Sequence, residues 1–136
     1  MTLVDTNVLL DLVTDDPNWA DWSVAQMEAA SLRGPLLIND VVYAEFSVRY
    51  DQIEHVEALL KETGIEIVPM PRPALFLAGK VFFEYRKAGG TRTGVLPDFF
   101  IGAHAAVSDL PLLTRDGGRY GRYFPSLSLI TPGVRS

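Results

Sequence analysis

The chain has 136 residues, 48% hydrophobic and 10% aromatic, a usual size for one domain with a sizeable core; it has no cysteine, which excludes a disulfide framework and a thiolate metal site. No apolar run reaches the roughly 18 residues of a membrane-spanning helix. The opening Met1-Thr2-Leu3-Val4-Asp5 lacks the basic and long apolar segments of a secretory signal, so a cytoplasmic setting is expected. A net charge of −5 argues at first against a nucleic-acid partner.

Helical and strand-like segments alternate along the chain. Residues 2–5 read as a short strand and Asn7 to Val13 as a short helix. Asp16-Pro17 supplies an N-cap acid and a proline at the first helical position. It predicts a helix to about Leu32, with Trp22, Ala25, Ala29 and Leu32 on one face, stopped by Gly34-Pro35. Leu36-Leu37-Ile38 is a buried strand candidate. Asn39 or Asp40 caps the next helix, and further helix runs through Ile53, Val56, Leu59 and Leu60 to Gly64. Ile65 to Val68 is a strand candidate. Pro73 to about Ala88 reads as a helix with Leu77, Val81 and Tyr85 on one stripe, followed by a flexible loop over residues 89–94. Pro97 to about Ser108 is the next helix, and Leu112–Thr114 and Leu127–Ile130 are the last strands. Strands spaced by helices predict an α/β fold, a parallel sheet with helices on both faces, in a single domain over residues 1–136. Ligands of such sheets bind beyond the carboxyl ends of the strands.

Charge is unevenly spread. Residues 1–79 hold 4 basic and 13 acidic residues, and residues 80–136 hold 8 and 4. The excess cations, Lys80, Arg86, Lys87, Arg92, Arg115, Arg119 and Arg122 among them, form either a binding face or a solvated helix face plus a turn.

Four acids stand where a soluble chain gains little from an acid. Asp5 ends the first strand, where it also suits an N-cap. Glu45 lies among Val41, Val42 and Val48; burial of an unpaired carboxylate is costly, and the plainer reading pairs it with Arg49 one turn on. Asp98 opens an apolar helix, a placement the helix dipole alone would favour. Asp116 follows a strand and precedes Gly117-Gly118, as a turn residue would. If the fold brings the four together their charges repel, and a hard divalent cation, Mg²⁺ or Mn²⁺, is the obvious reason to tolerate that. Asp11 reads as a solvated helix acid, with a supporting place behind the site as the alternative. His55 and His104 make no evident pair, and His104 reads as a hydrogen-bonded core histidine. Trp19, Trp22, Phe82, Phe83 and Tyr85 read as core or interface rather than as base-stacking platforms.

Four stretches together carry a resemblance: Asp5-Thr6-Asn7-Val8-Leu9-Leu10-Asp11, Tyr43-Ala44-Glu45-Phe46, Pro97-Asp98-Phe99-Phe100-Ile101-Gly102-Ala103-His104-Ala105 and Leu113-Thr114-Arg115-Asp116. No one of them is specific, but their order and spacing over nearly the whole chain resemble the PIN-domain ribonucleases, and most closely the VapC toxins of type II toxin–antitoxin pairs. The resemblance implies a PIN-like three-layer fold, a central parallel β-sheet flanked by helices. It implies that Asp5, Glu45, Asp98 and Asp116 are the acidic quartet around Mg²⁺ or Mn²⁺, with Thr6, Asn7 and Thr114 as polar support. It also implies an RNA substrate cut to a 5′-phosphate and a 3′-hydroxyl, a homodimer, and a VapB antitoxin whose C-terminal segment docks over the active site. Apolar faces around Trp19, Trp22 and Phe46 could serve that docking or simple core packing. Gly102 stands where many relatives carry Ala.

The expected chemistry is metal-assisted hydrolysis of RNA phosphodiester bonds, which needs no histidine base. Arg92 and Arg115 are the candidate phosphate contacts, with Arg86 and Lys87 behind them. One alternative is a Mg²⁺-dependent phosphatase of haloacid dehalogenase type, which needs a second Asp two positions after the first, where this chain has Asn7. Another is a non-catalytic RNA- or protein-binding module, which has no need of four carboxylates. A DNA flap nuclease would need room for an extra helical arch.

Overall fold

The computed structural model describes residues 1–92 and 94–132. Thr93, within the expected 89–94 loop, and residues 133–136, with Arg135 of the basic half, lie outside the described residues. The strands are β1 (Thr2–Val4), β2 (Leu36–Ile38), β3 (Glu66–Ile67), β4 (Leu112–Leu113) and β5 (Leu129–Ile130). The helices are α1 (Thr6–Thr14), α2 (Ala20–Ser31), α3 (Asp40–Ser47), α4 (Ile53–Thr63), α5 (Arg72–Lys87), α6 (Leu96–Val107) and α7 (Gly117–Tyr123).

The strands form one sheet in the order β3-β2-β1-β4-β5, every pair parallel, with helices flanking it. Leu3 is in register with Leu37 on one side and Leu112 on the other. β1, β2 and β4 are buried along their whole length. Continuous apolar runs of this kind suit central strands covered on both faces, where each large aliphatic side chain contributes about 1.5–3 kcal/mol. The chain moves from β1 to β2 on one side and returns to β4 on the other. The strand order therefore reverses between β1 and β4, and a crevice opens beyond their carboxyl ends.

Local signals explain most boundaries. The Asn39 side chain accepts from the Val42 amide at 3.0 Å and caps α3. Gly64, at φ 72°, ends α4 in the left-handed conformation that glycine takes without strain. α6 is apolar almost all round and packs against α3, α5 and α7. The Phe99 ring lies 5.7 Å from that of Tyr85 and 6.3 Å from that of Phe82, so the last turns of α5 sit beside the first turns of α6. Phe82 and Tyr85 are thus partly buried packing residues, as expected, whereas Phe83 is exposed.

Two expectations need correction. Asp16 does accept from the Asn18 and Trp19 amides, at 2.8 and 3.0 Å, but it closes a turn, and α2 begins only at Ala20. Its inner face is Ala20, Ser23, Met27 and Ala30, while Ala25, Ala29 and Leu32 face outward. Hydrophobicity alone picks the wrong stripe because Ser23 is turned inward by a bond to a buried acid, Asp11. The second correction is α7, whose first residues, Gly117-Gly118, read as a turn in sequence.

Gly102 explains how α7 fits. A Cβ there would lie 2.5 Å from Phe124 Cε2 and 3.1 Å from Tyr120 Cδ1. The absent side chain lets the end of α7 lie directly on α6. Gly102→Ala should therefore lower stability by about 1–3 kcal/mol in denaturant melts, overpacking outweighing the roughly 1 kcal/mol gain in helix propensity. A more stable variant would show that the ring of Phe124 yields freely.

Candidate active site

Asp5 is the fixed point of the crevice. It follows β1 directly, is almost fully buried and caps α1, its Oδ1 accepting from the Thr6 amide at 2.7 Å. Its Oδ2 accepts from Thr114 Oγ1 at 2.7 Å and from Tyr120 OH at 3.1 Å. Thr114 is positioned by β4, and its hydroxyl also accepts from the Asp116 amide at 3.0 Å. Asn7 lies close by: its Nδ2 is 3.4 Å from Asp5 Oδ2, and its Oδ1 accepts from the Arg115 amide at 3.3 Å.

The other acids reach the crevice from different elements. Glu45, half-buried on α3, accepts from Thr6 Oγ1 at 2.7 Å. Its bond runs to α1, not to Arg49. Of its expected apolar neighbours, Val42 is buried but Val48 is exposed. Asp98, in the first turn of α6, accepts from Arg119 Nη1, and its Oδ1 lies 3.5 Å from Tyr120 OH. Arg119 Nη1 is also 3.9 Å from Asp116 Oδ2, at the start of α7. The structure thus brings all four acids to one region, linked in a chain. Thr6 joins Glu45 to the Asp5 cap, Tyr120 joins Asp5 to Asp98, and Arg119 joins Asp98 to Asp116.

The electrostatics follow from burial. The Asp5 carboxyl is raised from 3.8 to about 6, chiefly by desolvation, with the Asp98 charge adding to it and the Thr114, Thr6 and Tyr120 bonds opposing it. Asp98 is also raised by burial, against the stabilising pull of Arg119. The Tyr120 phenol is held well above its ordinary value by burial and by Asp5, Asp98 and Glu45. It remains a neutral donor.

The donor set is carboxylate oxygen throughout, which fits a hard divalent cation, and burial raises two of its members, Asp5 and Asp98. Among the described residues, no three His, Cys, Asp or Glu side chains stand close enough to hold a metal ion as placed. Arg119 occupies Asp98, and Thr6 occupies Glu45. Tyr120 and Arg119 went unrecognised in the sequence as site residues. Both lie on the unforeseen α7, and the one available signal was their i, i+3 and i+4 spacing from Asp116.

Several other placements differ from expectation. Asp11 is not solvated: it is buried, accepts from Ser23 Oγ at 2.7 Å and holds Arg115. Arg115 Nη2 donates to Asp11 Oδ1 at 3.0 Å; Nε lies 2.8 Å from Oδ2, but its N–H does not point along that line, so this second contact is ionic only. The guanidinium also lies 5.1 Å from the centre of the Trp19 ring. Arg115 is therefore engaged with a buried acid, its side chain still partly exposed. Phe46 is fully buried and offers no docking face. His104 meets its expectation as a core histidine. The Val42 amide fixes Asn39 Oδ1 as acceptor, so Asn39 Nδ2 donates to His104 Nδ1 at 3.1 Å. Burial lowers its pKa and keeps it neutral.

The PIN domain family model matches residues 2–122. The chain is a PIN domain. Its fold is similar to solved structures at low sequence identity. A chain of the VapBC2 structure from Rickettsia felis bound to a promoter DNA fragment is 19% identical, with a TM-score of 0.73 over 97% of this chain and 98% of that one. A chain of FitAcB from Neisseria gonorrhoeae is 21% identical, with a TM-score of 0.69 over 97% and 98%. A chain of a toxin–antitoxin complex from Klebsiella pneumoniae is 23% identical, with a TM-score of 0.68 over 99% and 100%. No curated protein matches by sequence.

Two predictions follow from the geometry of this PIN domain. Between pH 3.8 and about 6 the folded chain keeps a proton on Asp5 that the unfolded chain releases. Its contribution to stability therefore falls as pH rises through that window, by roughly 3 kcal/mol. Thermal melts in EDTA should show this fall in the native chain and a flatter profile in Asp5→Asn; equal slopes would assign it elsewhere. In the Asp11–Arg115 pair, the acid is the deeply buried partner and the cation is partly exposed. Arg115→Ala strands a buried carboxylate and should cost about 3 kcal/mol, more than Asp11→Ala, in urea unfolding. The reverse ranking would refute this account of the pair.

Proposed function

We propose that this PIN domain is a metal-dependent endoribonuclease and the toxin component of a type II toxin–antitoxin pair. The observation that carries the reading is the arrival of four carboxylates from four separate elements at the crevice where the strand order reverses. A fold gains no stability from gathering like charges in a partly buried place. Asp5, Glu45, Asp98 and Asp116 are the residues that would hold Mg²⁺ or Mn²⁺. Such a cation supplies an activated water and offsets charge on a scissile phosphate.

The remaining residues act through position. Thr114 and Tyr120 hold Asp5 in one orientation, Thr6 aims Glu45, and Asn7 ties the β1 end to the β4 end. His104 is neutral and buried against Asn39, so proton transfer by histidine has no place in this reading. Arg92 is exposed, lines a cleft together with Arg119, and is our candidate for a phosphate contact. Cleavage would leave a 5′-phosphate and a 3′-hydroxyl, as the family resemblance implies.

The similarity to chains of toxin–antitoxin complexes supports a cognate VapB-type antitoxin as partner; a homodimer as the working form is what the family resemblance implies. The phosphatase alternative needs an acid at position 7. Asn7 there binds the Arg115 amide and faces Asp5 through its own amide, so that reading loses ground.

The test is purified protein, free of any antitoxin, incubated with total cellular RNA in Mg²⁺, Mn²⁺ or EDTA beside Asp98→Asn. Discrete fragments should need the metal. They should fall at least about a hundredfold in the variant, the upper end of what outer-sphere partners of a metal cost. Unchanged cleavage by folded Asp98→Asn, or cleavage undiminished in EDTA, would sink the proposal.

A further inference from the structure

A cleft of about 280 Å³ opens between the end of α5 and α7, lined by Tyr85, Arg92, Val95, Arg119, Arg122 and Tyr123, with Gly118 at its edge. Among the described residues no carboxylate lines it. Its guanidinium groups come from two separate segments, the loop after α5 and α7, in a chain whose net charge is −5. Arg119 belongs to the cleft and to the acidic site at once, since it pairs with Asp98. The cleft therefore runs directly into the carboxylates. Its walls are fixed: the Tyr85 ring packs 6.1 Å from Tyr123, and Tyr85 OH accepts from the Arg92 amide at 3.0 Å. The Arg122 guanidinium lies 5.5 Å from the centre of the Tyr123 ring.

We propose that this cleft is the binding track for single-stranded RNA beside the bond presented to the carboxylates, with Arg92 and Arg122 on its phosphates. The inference rests on the ribonuclease reading and deepens it. Arginine presents a planar fork of N–H donors that suits phosphate oxygens, and it stacks on aromatic rings without losing those donors. A groove whose cations track the phosphates holds a single strand without sequence preference; here the Tyr85 and Tyr123 rings, packed on each other, shape its walls. An acidic peptide would meet the same cations, but continuity with a phosphodiester-cleaving site favours RNA.

The experiment measures binding of a short, mixed-sequence, single-stranded oligoribonucleotide in EDTA across a salt series. It compares the unaltered protein, Arg122→Ala, Arg92→Ala, the double variant, and Lys61→Ala on α4 as a charge control. Each arginine removed should reduce the slope of log affinity against log salt by about 0.7. The double variant should bind roughly tenfold more weakly, and Lys61→Ala should match the unaltered protein. Absence of RNA binding by the unaltered protein, an unchanged slope in the arginine variants, or an equal loss in Lys61→Ala would overturn the proposal. So would polyglutamate binding as tightly as RNA with the same dependence on Arg122, which would make the cleft a dock for acidic peptide. Because no metal is present, binding is read apart from cleavage. RNA held by the cleft but never cut with metal would refute the ribonuclease reading alone, and metal-dependent cleavage with no arginine effect would refute the cleft alone.

Discussion

The burial of the Asp5 carboxylate at the end of the central strand is the constraint on which the rest of the site depends. A buried charge without partners costs several kcal/mol, and the fold answers by surrounding this one with donors. The Thr6 amide comes from the helix that Asp5 itself caps, the Thr114 hydroxyl from the neighbouring strand, and the Tyr120 hydroxyl from α7. Even so, its pKa remains raised to about 6. Hydrogen bonding compensates part of the desolvation and leaves a residue of unmet charge in the crevice.

The chain meets its two partly buried acidic regions in different ways. Asp11 receives a dedicated arginine, whose guanidinium also lies against the ring of Trp19. Asp98 shares Arg119 with Asp116, and that arginine also faces an open cleft. The first arrangement is a one-to-one structural pair. In the second, one guanidinium serves two carboxylates and an open cleft together. The two arginines, Arg115 and Arg119, are four residues apart in sequence and end up in opposite kinds of environment.

This contrast explains what could be read from the sequence. The strands and the helices α3 and α4 were legible because their signals are local, whereas the four acids stood out only as an ordered set along the chain. Apolar runs, Asn39 before a helix and Gly64 after one need no knowledge of distant residues. Asp11 was misjudged because its partners, Ser23 and Arg115, arrive from other elements. The inner face of α2 was misjudged for the same reason: Ser23 is buried by its bond to Asp11 rather than by its own hydrophobicity. α7 was hidden by composition. Gly117, Gly118 and Gly121 argue against a helix when taken alone, and tertiary packing of Tyr120 and Phe124 on α6 overrides them.

That override ties the fold to the chemistry. Gly102 removes a side chain from α6, and the space admits Phe124 and Tyr120. The close approach sets Tyr120 against Asp5 and Asp98, and it sets Arg119, one residue earlier, on Asp98. Arg122, on the next turn, then falls beside the ring of Tyr123 in the cleft. A missing methyl group in the core thus sets the position of the donor that orients the central acid, of the counter-ion that neutralises another, and of a cation at the mouth of the site. Packing inside α6 and α7 and electrostatics in the crevice are two consequences of the same contact, so a change that loosens the first must also disorganise the second.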